Sequence, residues 1–272
     1  MVESLKELGK ICQKPRYKEV GNWMVRHILR DAALPITWLL LHTQITANQV
    51  TLMSLVIALV GVVCLAIPSN SIFLLGTILL QLWYLLDHVD GQIARYRKTA
   101  SLTGRFFDYV THHIIHGAIL FSIGICVFKI TGKLFFILLG FIGSTASMVF
   151  NLINDTKYKT FFDKLTTLQE VKIIIPEKSI KNENDHKINM PLKSLYSFLH
   201  KIFEIHIFVN ILTAVAIFQS FIYPFIELKI PALIFYSTVS FFLVVTKITF
   251  LILTKKIDQE FNEWFIVKAE RD

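Results

Sequence analysis

Residues 87–112 read DHVDGQIARYRKTASLTGRFFDYVTH and join two long apolar stretches, 71–94 and 104–127. Each apolar stretch is long enough to cross the roughly 30 Å hydrocarbon core of a membrane, because a helix rises about 1.5 Å per residue. Ionisable side chains are costly inside membrane helices and usually mark a functional site. The sequence therefore predicts two membrane helices whose adjoining ends carry such a site.

The composition of the whole chain agrees with a membrane protein. Of its 272 residues, 54% are hydrophobic and only 18% are charged, against about 25% charged residues in soluble domains. A soluble fold of this length could not bury so much apolar surface, and a disordered chain needs low hydrophobicity. The net charge of +8 comes from basic clusters beside apolar stretches, which are typical of the cytoplasmic ends of membrane helices. We therefore expect a polytopic membrane protein with no nucleic-acid partner.

The apolar stretches predict an all-α integral membrane protein with six transmembrane helices, an N-terminal interfacial helix and both termini in the cytoplasm. The connections between spans are short on one side of the membrane and long and basic on the other, which sets this orientation. The six spans run over residues 49–67, 71–94, 104–127, 134–153, 205–225 and 231–254.

The segments outside the spans complete the predicted organisation. Residues 17–34 combine arginines with apolar residues and predict an interfacial helix that breaks near Pro35, with Arg26 and Arg30 as anchors to anionic lipid. The predicted divisions are an N-terminal segment at 1–46, a catalytic membrane domain at 47–254 with a cytoplasmic loop at 154–204, and a cytoplasmic tail at 255–272.

The charged block within the quoted stretch predicts a metal site. Asp87 and Asp90 share one helix face, and Asp108 and His112 share a face of the next helix. Three carboxylates cannot stay charged together in a low dielectric without counter-charges, and Arg95 offsets only one of them. Oxygen-rich ligation suits Mg²⁺ or Mn²⁺, which also bind phosphate oxygens. We therefore expect metal-assisted phosphoryl transfer near the cytoplasmic face.

The same residues resemble the signature of the CDP-alcohol phosphotransferases, D-x-x-D-G-x-x-A-R-x8-G-x3-D-x3-D. Seven of the eight signature positions match with their spacing intact, and His112 stands where the family has its last aspartate. The resemblance extends to the interfacial helix, to the six spans and to Asn48 and Thr51 at the start of the first span.

The resemblance implies a reaction in which a CDP-linked donor passes its phospho-alcohol group to an acceptor hydroxyl and releases CMP. It implies a pair of divalent ions held by Asp87, Asp90 and Asp108, with His112 as a further ligand and as the base for the acceptor hydroxyl. The residues that it implies for the CDP pocket are Asn48, Thr51, Gly91, Ala94, Arg95 and Gly104. It further implies a homodimer. The asymmetry of the basic connections predicts that the active site faces the cytoplasm.

Several alternatives stay open at this point. The His112 substitution also fits a catalytically impaired relative that still binds CDP, and an acidic cluster in membrane helices also fits a cation-coupled transporter. The acceptor is a polyol, a polyol phosphate or a lipid, and Lys247 is the candidate contact for a phosphate on it. Residues 33–55 are similar to the first-span segment of bacterial and archaeal members that handle polyol phosphates, which favours a prokaryotic cell membrane.

Overall fold

The computed structural model describes residues 3–13, 24–173 and 198–270, most of which lie in long helices. Five helices in this part of the chain are long and apolar enough to cross a membrane. The protein is therefore an α-helical integral membrane protein, as predicted. The expected fifth span corresponds to a shorter apolar helix of 17 residues, about 26 Å long.

The elements are labelled here in chain order. The helices are α1 (Leu5–Cys12), a π-helical turn (Val25–Leu29), α2 (Arg30–Leu41), α3 (Ala47–Leu65), α4 (Asn70–Tyr96), α5 (Leu102–Thr131), α6 (Phe135–Thr166), α7 (Ile205–Phe221), α8 (Lys229–Leu253) and α9 (Lys256–Trp264). Two strands, β1 (Leu168–Ile173) and β2 (Phe265–Glu270), pair antiparallel.

Side-chain caps fix the starts of two helices that carry predicted site residues. At the start of α3, Gln49 N donates to Thr46 Oγ1 and Thr46 N donates to Gln49 Oε1, which is the reciprocal capping box of a Thr-x-x-Gln sequence. At the start of α5, Gly104 N donates to Ser101 Oγ over 3.0 Å. These caps satisfy backbone N–H groups that have no partner inside the helix.

Close helix crossings depend on glycine. A Cβ atom on Gly124 of α5 would lie 2.6 Å from the backbone oxygen of Phe136 and 3.1 Å from Cα of Gly140 in α6. A Cβ atom on Gly76 of α4 would lie 2.8 Å from the backbone oxygen of Gly61 in α3. Membrane helices associate through such small residues because lipid provides no hydrophobic drive for their packing. The glycines therefore hold α3 against α4 and α5 against α6.

The main apolar core lies where α4, α5, α7 and α8 meet. Its fully buried side chains include Phe73 and Trp83 from α4 and Ile119 from α5. Phe208 and Leu212 of α7 pack into the same cluster. The shorter apolar helix is therefore an integral part of the bundle.

The N-terminal helices differ from the sequence prediction at Pro35. The predicted break there is wrong, because the chain stays helical from Met24 through the π-helical turn and α2 to Leu41. Ala33 and Thr37, on either side of the proline, are fully buried, and Thr37 Oγ1 donates to Gln92 Oε1 of α4 over 2.6 Å. Packing against α4 therefore keeps the helix intact across one missing backbone donor. The predicted interfacial helix begins at residue 17, and its residues 17–23 lie outside the described part.

The predicted loop at 154–204 and the tail at 255–272 also contain regular structure. Helix α6 continues to Thr166, and β1 follows it, while residues 174–197 lie outside the described part. The tail forms α9 and β2. Phe161 of α6 and Phe261 of α9 are both buried, with ring centroids 5.4 Å apart. Apolar contacts between these two segments therefore stabilise elements that their polar composition does not predict.

The helix crossings predict a stability effect. We expect Gly124→Ala to lower the free energy of unfolding by about 1–3 kcal/mol, because the new methyl group overlaps backbone atoms that cannot move aside. The measurement is the thermal unfolding midpoint of the purified protein in detergent. Gly117→Ala on the same helix is the control, since its Cβ would lie an ordinary 3.4 Å from Met148 Sδ. Equal midpoints for the two variants would contradict the prediction.

Candidate active site

The turn between α4 and α5 determines how the two halves of the signature face each other. Helix α4 ends at Tyr96, and Lys98 takes a left-handed conformation with φ of 55°. The Arg97 guanidinium donates to the backbone oxygens of Thr43 and Ile45 over 2.7 and 2.6 Å. The same turn therefore connects α4 to α5 and attaches the end of α4 to the segment before α3.

Three of the predicted metal ligands converge. Nε2 of His112 lies 2.9 Å from Asp87 Oδ1 and 3.4 Å from Asp108 Oδ1. One ligand atom from each of the three residues lies within 4.8 Å of the other two. Within the described part of the chain, Asp108 Oδ1 is buried and has no hydrogen-bond partner. A carboxylate oxygen in this position, with a second carboxylate and an imidazole beside it, fits a divalent cation.

Asp90 lies one helical turn after Asp87 and takes a different partner. Thr51 Oγ1 donates to Asp90 Oδ2 over 2.5 Å, and both side chains are buried. Asp90 is not part of the three-residue group described above. The hydrogen bond explains why a threonine on the second turn of α3 accompanies the acidic motif, because it connects α3 to one of the three carboxylates.

A cavity of about 620 Å³ opens at the acidic cluster formed by Asp87, Asp90 and Asp108. It is lined by Asp87, Asp90 and Asp108 and by all six residues that the resemblance implies for the CDP pocket, Asn48, Thr51, Gly91, Ala94, Arg95 and Gly104. These nine residues come from α3, α4 and α5. The structure therefore brings together at one cavity residues that lie up to 60 positions apart in the sequence.

The two signature glycines make room for polar groups at the cavity wall. A Cβ atom on Gly91 would lie 3.1 Å from Arg95 Nη1. A Cβ atom on Gly104 would lie 3.2 Å from Asn48 Oδ1. Each glycine therefore leaves space for the polar end of another residue of the implied CDP pocket at the edge of the cavity.

His112 is not among the residues that line the cavity, and it lies in an aromatic and polar setting next to Asp87 and Asp108, which do line it. Its ring centroid is 5.3 Å from that of Trp83 and 6.3 Å from that of His116. His116 is buried one turn further along α5, and its Nδ1 lies 3.2 Å from Asn151 Nδ2. These contacts fix the imidazole of His112 between the acidic cluster and the core of the bundle.

Lys247 is not among the residues that line the cavity. Its Nζ donates to the backbone oxygen of Phe150 over 3.1 Å and lies 4.0 Å from the centroid of that ring. Its role in acceptor binding stays a prediction.

Ten of the residues that line the cavity were not predicted as site residues from the sequence. Five of them are Gln13, Arg30, Gln92, Arg105 and Tyr109, and the other five are Ala47, His88, Thr99, Ala100 and Ser101. Three of them, Gln92, Arg105 and Tyr109, each directly follow a fixed position of the signature. Helix periodicity could therefore have indicated them. Gln13 and Arg30 lie far from the signature in sequence and carry no motif. Only the packing of α1 and α2 on α4 brings them to the cavity.

The geometry agrees with the comparison to known families. Residues 44–176 match the model of the CDP-alcohol phosphatidyltransferase family, a stretch that contains α3, α4, α5 and α6. Among the curated proteins compared with the chain, none matches it. The family match includes every signature residue that lines the cavity and confirms the resemblance seen in the sequence. The chain therefore carries a CDP-alcohol phosphatidyltransferase domain over residues 44–176.

Proposed function

We propose that the protein transfers a phospho-alcohol group from a CDP-linked donor to an acceptor hydroxyl and releases CMP. The observation that carries this proposal is the convergence of Asp87, Asp108 and His112 within 4.8 Å beside a cavity lined by the family signature. The family match favours this transferase over a cation-coupled transporter. The direct test is CMP release from CDP-linked donors by the purified protein.

The cavity has the size and charge that such a donor requires. Its volume of about 620 Å³ is within the range of about 300–1,000 Å³ that is common for small-molecule sites. Arg30, Arg95 and Arg105 line it together with three aspartates. Guanidinium groups bind phosphate oxygens through paired N–H donors. This lining suits a CDP-linked donor. The diphosphate of such a donor needs cations, and its base and ribose need polar groups in the cavity wall.

Asp87, Asp108 and His112 are the residues proposed to hold a divalent ion, with Mg²⁺ or Mn²⁺ as candidates and Asp90 beside them for a second ion. Such an ion would supply charge neutralisation for the diphosphate and for the departing CMP. The protein's own groups orient the reactants. Asp90 is held by Thr51, and Arg95 lies over Gly91 at the cavity wall.

His112 is the proposed proton acceptor. Its Nε2 lies 2.9 Å from Asp87 Oδ1 and 3.4 Å from Asp108 Oδ1. In the state in which Nε2 does not ligate the ion, it would take the proton of the acceptor hydroxyl, and the Asp87 carboxylate would stabilise the resulting imidazolium. The Trp83 ring packs against the imidazole and restricts its orientation.

We also propose that α7 is the sixth span and that both termini lie in the cytoplasm, which places the active site at the cytoplasmic face of the membrane. In support, α7 packs within the core beside α4, and an even number of spans agrees with basic segments at both ends of the chain. A homodimer in a prokaryotic membrane and a polyol, polyol-phosphate or lipid acceptor complete the proposal. Analysis of cellular lipids by mass spectrometry after overexpression would identify the product.

The metal role predicts the effect of removing one carboxylate. Asp108→Asn preserves the shape of the side chain and removes its charge, so we expect CMP release to fall about 100-fold or more. Activity should be lost in EDTA and return with Mg²⁺ or Mn²⁺, and Mn²⁺ binding measured by electron paramagnetic resonance should weaken in the variant. Asp155→Asn is the control, because this half-exposed aspartate pairs with His113 outside the cluster. Full activity in EDTA would rule out the metal mechanism.

The proton-acceptor role predicts how substitutions of His112 rank. His112→Ala should lower kcat by about 10²–10⁴-fold, and His112→Asp, which restores the residue of the family signature, should retain part of the activity. His113→Ala, one position further along α5, controls for effects on the helix. An Ala variant with the wild-type rate would assign the proton to another group. CDP binding by the wild type without any CMP release would instead identify an impaired relative.

Lys247 is the proposed contact for a phosphate on the acceptor. Lys247→Met should raise the KM of a phosphorylated acceptor about tenfold with little change in the KM of the donor, because the lost contact is to a non-reacting group. Lys129→Met is a matched control, since Lys129 also donates to a backbone oxygen, that of Ala66. An unchanged acceptor KM would mean that Lys247 only anchors α8 to Phe150.

A further inference from the structure

Helix α1 lies outside residues 44–176, yet it borders the proposed donor cavity. Gln13, which directly follows α1, lines the cavity. Leu8 and Cys12 of α1 are fully buried and pack in one cluster with Val89 and Ile93 of α4. Burial raises the pKa of the Cys12 thiol to about 11, so this side chain is an uncharged packing group. An element outside the family match is therefore firmly attached to the helix that carries the signature.

Polar contacts fix α1 at both ends. Just before its start, the Glu3 carboxylate accepts a hydrogen bond from the Tyr96 hydroxyl at 2.6 Å. The backbone oxygen of Glu3 accepts one from Trp38 Nε1 at 3.2 Å. At its end, Gln13 Nε2 donates to the backbone oxygen of Arg30 over 3.3 Å. Gln92 of α4 donates to the same Arg30 oxygen over 2.9 Å. These bonds connect α1 to both α2 and α4 around the cavity.

The end of α1 also contacts a signature residue. Nε of Arg95 donates to the backbone oxygen of Cys12, the last residue of α1. The last carbonyl groups of a helix lack partners within it and carry partial negative charge, so this end of α1 suits a guanidinium. In the described part of the chain this is the one hydrogen bond that the Arg95 side chain makes. Its Nη1 and Nη2 atoms lie over Gly91 at the cavity wall.

We propose that α1 is a positioning element for the donor: the Cys12 carbonyl holds Arg95 so that both Nη groups face the donor's diphosphate, and Gln13 closes the same wall of the cavity. This inference rests on the proposed function and adds a part of the chain that the family match does not include. It assigns donor affinity, rather than the chemical step, to the N-terminal segment.

The test is to detach α1 in the full-length protein. Leu8→Asp places a charge in the buried contact with α4 and should raise the donor KM about tenfold, the effect of losing one hydrogen bond to a charged group, with kcat and the acceptor KM within about threefold of wild type. CDP affinity, measured by calorimetry, should fall by the same factor. Ile11→Asp introduces the same charge on the exposed side of α1 and should leave these values unchanged.

A double-mutant cycle separates positioning from general destabilisation. In an Arg95→Ala background, Leu8→Asp should lower CDP affinity much less than it does in the wild type, because the guanidinium that α1 positions is already gone and only the contribution of Gln13 remains. The inference would be overturned if Leu8→Asp lowered CDP affinity equally in that background. It would also be overturned if Leu8→Asp alone left the donor KM and the CDP affinity unchanged. Neither outcome would affect the proposed transferase function. A wild-type protein that neither binds CDP nor releases CMP would overturn both.

Discussion

Asp87, Asp90 and Asp108 lie together at the adjoining ends of two apolar helices, and the repulsion between their carboxylates is the constraint that the surrounding structure has to meet. Like charges in a low dielectric are unfavourable unless cations or hydrogen-bond donors face them. The helices bring the carboxylates together through geometry alone, because α4 and α5 are joined by the short turn from Arg97 to Ser101. The surrounding elements therefore have to provide the compensation.

The compensating groups come from α2, α3 and α4, and α1 contacts one of them. Thr51 of α3 donates to Asp90, and the crossing of α3 and α4 at Gly61 and Gly76 brings α3 close enough to do so. Arg30 reaches the cavity from α2, while Arg95 is oriented by the end of α1. The N-terminal helices therefore contribute to the electrostatics of the site as well as to its packing.

The sequence predicts the site better than it predicts the chain around it. The spacings from Asp87 to Asp90 and from Asp108 to His112 follow helix periodicity, and the short connection makes the two helices neighbours, so the convergence could be anticipated from local geometry. The continuation of α2 through Pro35 and of α6 to Thr166 could not, because both depend on distant partners such as Gln92 and Phe261. Gln13 is the same kind of case, since its place at the cavity follows from the burial of Leu8 against α4 and not from any pattern near it.

The imidazole at position 112 changes the charge of the site in a definite direction. Three aspartates and three arginines line the cavity, so their formal charges cancel when His112, beside them, is neutral. A carboxylate at position 112 would leave an excess of one negative charge next to the place proposed for an anionic diphosphate. A neutral imidazole does not add this negative charge. For the same reason it attracts a divalent cation less strongly than a carboxylate would. Its Nε2, 2.9 Å from Asp87, still provides a proton-accepting atom where the family signature has an acid. The substitution therefore favours binding of the proposed anionic donor and keeps a nitrogen that can act as the proposed proton acceptor.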